Sequence, residues 1–151
     1  NALVDRDRNI RAEVEDARAR GVIFDVGHGR GSFDFKVARA MIENGFVPDV
    51  ISSDVHIVSI DGPAFDVLVT MSKFLCLGVP LAEVLRAVTV NAAKAVGRPE
   101  LGSLKPGSPG DATVLSIESG EFDYYDSLGQ IMTGDRKFAV EHILVGGKSW
   151  P

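Results

Sequence analysis

The chain carries two patterns of apolar and polar positions, mostly helical up to about residue 97 and β-like after it. Between Asp5 and Arg20 the apolar Ile10, Val14 and Ala17 fall at helical spacing among charges. Asp5 and Asp7 stand near the positive end and Gly21 where a terminating glycine belongs, which predicts an amphipathic surface helix. Residues 22–26 are a short, nearly unbroken apolar run bounded by glycine, the pattern of a strand covered on both faces in a parallel sheet. A loop over 27–32 follows with Ser32 placed to cap, then a helix over 33–44 ended by Gly45. Pro48 precedes a second buried strand over 49–54, and two strands joined by one helix make a right-handed βαβ crossover. Helices are predicted over about 65–77, from Pro80 at a first helical position to about 88, and over 89–96 with Gly97 closing it. From Leu101 onward Gly and Pro punctuate the chain, β segments follow at 112–117 and 138–145, and Gly146-Gly147 turns the last of them. The organisation read from this is 1–97 as βαβ-type material and 98–151 as a small β appendage.

Composition narrows the function classes. Sixteen Lys and Arg against 21 Asp and Glu give a net charge of −5 over 151 residues. With no basic cluster there is no electrostatic footprint for nucleic acid or anionic lipid, so small anionic or neutral molecules are the expected partners. The single Cys76 excludes an intramolecular disulfide framework, which makes a reducing compartment, the cytoplasm, the default. No apolar run approaches the ~18 residues of a membrane span, because 67–85 is interrupted by Ser72, Lys73, Pro80 and Glu83. The chain opens at Asn1 without an initiator Met and reads as part of a longer protein.

Three constellations carry candidate chemistry. Asp25-Val26-Gly27-His28-Gly29-Arg30-Gly31 lies between a strand and a helix, where closely spaced glycines let backbone approach a ligand. It resembles the first motif of S-adenosylmethionine-dependent methyltransferases, with Asp54 at the end of the next strand. A tight turn with no ligand is the plainer reading, and a non-catalytic α/β module stays open beside it. Second, His28 and Asp54 both fall at C-terminal strand ends, the edge where α/β sheets collect their chemistry, and His56 stands two residues beyond. A carboxylate there can bind metal or accept a proton, and a histidine can do either or bond substrate. His142, inside a β segment, is read as a surface residue.

The third constellation is Thr89-Val90-Asn91-Ala92-Ala93-Lys94-Ala95-Val96-Gly97 followed by the turn from Leu101 to Asp111 and the strand entered at Ala112. It resembles the closing signature of the amidohydrolase superfamily, in which a T-x-N-x-A helix follows the last barrel strand and a G-x-L-x-P-G-x-x-A-D turn leads into a β-sandwich. Gly110 stands where that family usually has Ala. The stretches 24–33 and 51–54 are similar to the deacetylase and dihydroorotase-like branch, with its D-x-G-H-G and S-T-D sequences. Ser53 replaces the usual Thr.

The resemblance implies an α/β fold made of the last two strand-helix units of a (β/α)8 TIM barrel and a β-sandwich segment. His28 and Asp54, 26 positions apart, then sit on strands seven and eight. It implies hydrolysis of an amide or ester bond at a mononuclear or binuclear divalent site, commonly zinc, that lowers the pKa of a bound water. Asp54 inherits the strand-eight role of metal ligand and proton acceptor. His28, Gly29, Arg30 and His56 border the pocket as substrate-contact candidates, together with 57–63. The family's remaining ligands, an H-x-H, a carboxylated Lys or Glu and two further His, have no counterpart among His28, His56 and His142. The expectation is therefore a C-terminal portion of a barrel that takes ~250 residues in full. By itself such a portion is inactive, holds metal poorly and needs the N-terminal part of the barrel, and its open sheet edges leave homo-oligomerisation open.

Overall fold

The computed structural model describes residues 3–151. They are arranged as α1 (Ala12–Ala19), β1 (Asp25–Gly27), α2 (Phe35–Glu43), β2 (Val50–Ser52), α3 (Val67–Cys76), α4 (Leu81–Val88), α5 (Val90–Ala95), a 3-10 turn (Pro99–Gly102), β3 (Ala112–Tyr125), β4 (Ile131–Val145) and β5 (Lys148–Ser149). β1 and β2 are parallel, with Val26 opposite Ile51, and β3, β4 and β5 form an antiparallel sheet in that order. The chain is thus α/β, with a parallel pair first and an antiparallel ribbon after it. No helix among the described residues is long and apolar enough to cross a membrane.

Several boundaries differ from the sequence expectation for local reasons. The first helix begins at Ala12 because the residues before it close a loop: the Asp5 carboxylate accepts from the backbone N–H of Asp7 and Asn9, and Arg8 has φ 68°. α2 is capped by Asp34, whose Oδ1 accepts from Lys36 N at 2.7 Å and Val37 N at 3.4 Å, so Ser32 is not the cap. Pro80 precedes the first turn of α4 as its N-cap. Thr89 separates α4 from α5 and its hydroxyl donates back to Leu85 O at 2.6 Å, leaving α5 without a side-chain cap. Val22 and Ile23 are about half exposed. Among the described residues β1 pairs only with β2, so its run is not covered on both sides, whereas Val50 and Ile51 of β2 are buried.

The β ribbon is longer than the two apolar segments foretold. β3 and β4 span 14 and 15 residues, with register irregularities between Val114 and Leu115 and between Ser119 and Phe122. Its middle, around Glu118 to Glu121, is exposed, which is why apolar alternation fades there. Beyond it Phe122 and Tyr124 turn inward again.

α3 is the centre of the molecule. Met71, Phe74 and Leu75 pack with Ile51 of β2 on one side and with Tyr124 and Phe138 of the ribbon on the other, so one apolar core continues past residue 97. Each such side chain contributes about 1.5–3 kcal/mol by leaving water. α3 lies so near β4 that a Cβ on Gly134 would stand 2.5 Å from Cys76 Sγ, and Ser72 Oγ accepts from Phe138 N at 3.0 Å. A second cluster of Val14, Met41 and Phe46 seats α1 on α2. There the Arg18 guanidinium lies 3.7 Å from the Phe46 ring centre and 3.2 Å from Asp49 Oδ2, tying α1 to the start of β2.

The T-x-N-x-A and glycine-turn residues now have physical reasons. Asn91 Nδ2 donates to Asp49 O at 2.9 Å, pinning α5 under the start of β2. Gly102 backs onto α5, where a Cβ would come within 2.8 Å of Val90 Cα. Gly110 faces the final turn, where a Cβ would stand 2.6 Å from Gly147 N, and that N–H donates to Gly110 O. The small-for-small departure at Gly110 is therefore demanded by this chain's own turn.

Candidate active site

The site lies where β1 and β2 end. Asp54, two residues beyond β2, is exposed and has φ 47°, a left-handed conformation that aspartate and asparagine adopt more readily than other non-glycine residues. Its carboxylate rests on the glycine loop after β1: Cβ atoms built on Gly27 and Gly29 would stand 3.3 Å from Asp54 Cβ and 2.6 Å from Asp54 Oδ2. Gly29 itself has φ 47°, and its N–H donates to Ser53 O at 2.9 Å, locking the two loops together. Among the described residues the Asp54 carboxylate receives no hydrogen bond, so both oxygens are free for a ligand or a proton. Behind it Ser52 Oγ donates to Asp25 Oδ2 at 2.6 Å, closing the strand pair at its base.

His28 occupies a different place from the one its sequence position suggests. The ring is fully buried and stacks on Phe33 with centres 4.6 Å apart. Its Nε2 lies 2.7 Å from Lys73 Nζ, and its Nδ1 lies 2.9 Å from Gly29 O. Because the lysine donates, Nε2 accepts and the ring proton sits on Nδ1, from which it is donated to Gly29 O. Both nitrogens are taken up by protein partners and neither faces solvent. Burial, and then the Lys73 charge, holds the His28 pKa below the usual imidazole value.

Lys73, fully buried on α3, was not singled out from the sequence. Besides His28, its ammonium donates to Pro63 O at 2.8 Å and Tyr125 O at 2.7 Å. Burial lowers its pKa to about 8, with the Asp126 carboxylate acting the other way. The available signal was one cation in an otherwise apolar and small-polar helix, VLVTMSKFLC. Asp126, at the tip of the β3–β4 hairpin, was also missed. Its Oδ2 accepts from Phe35 N at 3.1 Å and Gln130 Nε2 at 3.0 Å, while Oδ1 accepts from Leu128 N and Gln130 N at 2.8 Å. Ser127 completes the junction by donating its N–H to Phe33 O at 2.9 Å.

Arg30 in the loop after β1 and His56 in the loop after β2 are both exposed. Arg30 Nη1 donates to Val58 O at 2.9 Å, bridging the loops after β1 and β2. His56 is exposed, and its Nδ1 accepts weakly from Val58 N at 3.4 Å. Next to it Ile57 is 92% exposed and Val58 and Ile60 are more than half exposed, an apolar loop held out beside Asp54. A carboxylate is a fitting oxygen donor for a divalent cation, but a catalytic zinc takes about three protein ligands. Among the described residues no group of three His, Cys, Asp or Glu is placed to hold a metal ion.

The profile of the amidohydrolase family matches residues 13–149. The chain belongs to the amidohydrolase family. The match takes in the Gly27–Gly31 loop, which sets aside its methyltransferase-like reading. A deacetylase of Brucella anthropi is 33% identical over 143 residues, covering 95% of this chain and 36% of that protein. The crystal structure of an adenine deaminase superposes on 98% of this chain and 41% of its own, with a TM-score of 0.94 and 29% identity. That of a dihydroorotase covers 91% of this chain and 38% of its own, with a TM-score of 0.84 and 34% identity. This amidohydrolase chain thus spans about a third of the length of the curated deacetylases it matches.

Proposed function

We propose that the chain is the C-terminal portion of a metal-dependent amidohydrolase that cleaves an amide or ester bond of a small molecule, with Asp54 as its catalytic and metal-binding carboxylate. In this reading residues 1–97 are the C-terminal part of a (β/α)8 barrel, with β1 and β2 as its strands seven and eight. Residues 98–151 then contribute β3, β4 and β5 to a sandwich that the rest of the protein completes. The observation that carries the proposal is Asp54 itself: a carboxylate that receives no hydrogen bond among the described residues, at a C-terminal strand end, on left-handed backbone against glycines that leave it room. The relatives support a C–N bond as the point of attack, since they include deacetylases, an imidazolonepropionase, an adenine deaminase and a dihydroorotase.

A divalent cation, zinc first among the candidates, supplies Lewis acidity and brings the pKa of water toward neutrality when bound. Asp54 would give that cation one of its ligands, and its free carboxylate oxygen would accept a proton from water and return it to the departing nitrogen or oxygen. Arg30 and His56 are the exposed candidates for substrate contact, while Gly29, itself buried, seats Asp54 and His28 serves from beneath by holding Gly29. Supplying a single ligand, the 151 residues depend on the N-terminal part of the barrel for activity and for firm metal binding.

Asp54→Asn tests this. Asparagine has nearly the same shape and tolerates left-handed backbone, so the fold is kept while the proton acceptor is lost. In the intact protein, kcat/KM on an N-acyl or cyclic amide substrate falls by about 10²- to 10⁴-fold. Retention of full activity would remove Asp54 from the mechanism.

A further inference from the structure

We propose that Lys73 is a positioning residue for the catalytic edge: its one buried ammonium ties the loop after β1, the loop after β2 and the β3–β4 hairpin into the arrangement that seats Asp54 on the glycine loop. The inference rests on the reading of Asp54 as the catalytic carboxylate. Lys73 has three N–H bonds to give and three acceptors to receive them, each on a different segment. His28 lies after β1, Pro63 lies between β2 and α3, and Tyr125 ends β3. Asp54 lies on the second of these segments and its carboxylate rests on the first.

The connection from Lys73 to Asp54 is continuous. Donation from Lys73 leaves His28 with its proton on Nδ1, which fixes Gly29 O. Gly29 N is fixed by Ser53 O, so both sides of the left-handed glycine are held. Its Cα is then the surface against which Asp54 Oδ2 sits. On the far side, the hairpin that presents Tyr125 O also holds Phe33, the ring on which His28 stacks, through Ser127. A buried charge is costly, but a methionine of similar length beside Phe33 would leave His28 Nε2, Pro63 O and Tyr125 O without a donor. What the ammonium supplies, and no apolar side chain can, is three directed bonds from one atom.

The test uses the intact protein and the variants Lys73→Met, which removes all three bonds, and Lys73→Gln, which keeps up to two N–H donors. Zn²⁺ affinity is measured on metal-free protein by competition with a chromophoric chelator, alongside kcat and KM. Disturbing the support of a metal-site residue costs about 10- to 100-fold in metal affinity. Lys73→Met is expected to weaken Zn²⁺ binding by that factor and to lower kcat more than it raises KM, with Lys73→Gln between it and the unmodified protein. Folded Lys73→Met with unchanged affinity and kcat overturns the proposal, and should that variant not fold, the same result for Lys73→Gln does so. A ¹⁵N spectrum of His28 in the unmodified protein decides independently: a slowly exchanging Nδ1 proton is expected, and an Nε2-protonated ring overturns it. Asp54→Asn is measured in parallel. If it leaves Zn²⁺ affinity and activity intact, the reading of Asp54 fails; if it abolishes them while both Lys73 variants do not, only the positioning role fails.

Discussion

Gly29→Ala probes the seat of Asp54 through a single methyl group. Two costs arise, and the structure separates them. The first is backbone: alanine at φ 47° pays about 1–2 kcal/mol for the left-handed conformation, partly offset by the smaller entropy it loses on folding. The second is contact: the new Cβ would stand 2.6 Å from Asp54 Oδ2, so the carboxylate must retreat by roughly 0.8 Å to reach ordinary contact distance. A displacement near 1 Å at a reacting group costs about 10²-fold in rate, equivalent to roughly 2.7 kcal/mol of transition-state stabilisation. Gly45→Ala is the matched control, because Gly45 has φ 74° and nothing within 4 Å of its Cβ position. In the intact protein both variants should lose about 1 kcal/mol in a denaturant titration, while only Gly29→Ala loses kcat/KM, by about 100-fold. Equal activity in the two variants would refute the claim that Gly29 is glycine for the sake of Asp54.

Other consequences follow from the same contacts. Lys73 holds its proton less firmly when folded, with a pKa of about 8 against 10.5, so the unfolded chain carries more protons between those values and stability rises with pH across that window. The gain is about 3 kcal/mol at most, until deprotonation of Tyr124 in the unfolded chain opposes it, and Lys73→Met should flatten the rise in thermal melts. His28 acts in the same direction at lower pH: its folded pKa is depressed, so stability is complete above 6.5 and is lost as pH falls below it. Asp126→Asn turns an amide NH₂ toward two N–H donors and should cost about 2–4 kcal/mol in denaturant titrations. Gly110→Ala should cost about 1–3 kcal/mol and speed hydrogen exchange at the Gly147 amide, whose bond to Gly110 O it displaces.

Local pattern made the order of helices and the parallel strand pair legible, because Phe35–Glu43 and Val67–Cys76 carry their apolar faces and glycine stops in the sequence itself. It failed where long-range geometry overrides pattern. The ribbon between 118 and 137 lacks continuous apolar alternation because its middle is exposed, so pairing across the hairpin, not burial, makes it a strand. The Asp54 position was legible from the S-S-D sequence at a strand end, and its glycine seat from G-H-G. His28 was harder. A histidine beside a glycine loop reads as a pocket residue, and only the fold brings Lys73, 45 positions later, onto its Nε2. Asp126 was hidden for the same reason, since its partner Phe35 N lies 91 positions away.

The most direct test of the account is an anomalous difference map recorded at the zinc edge from crystals of the intact protein. The account predicts a peak about 2.0–2.2 Å from an Asp54 carboxylate oxygen, with ligands from the N-terminal part of the barrel completing the shell. A fully active protein whose map places zinc away from Asp54, or shows no metal at the ends of β1 and β2, would contradict it.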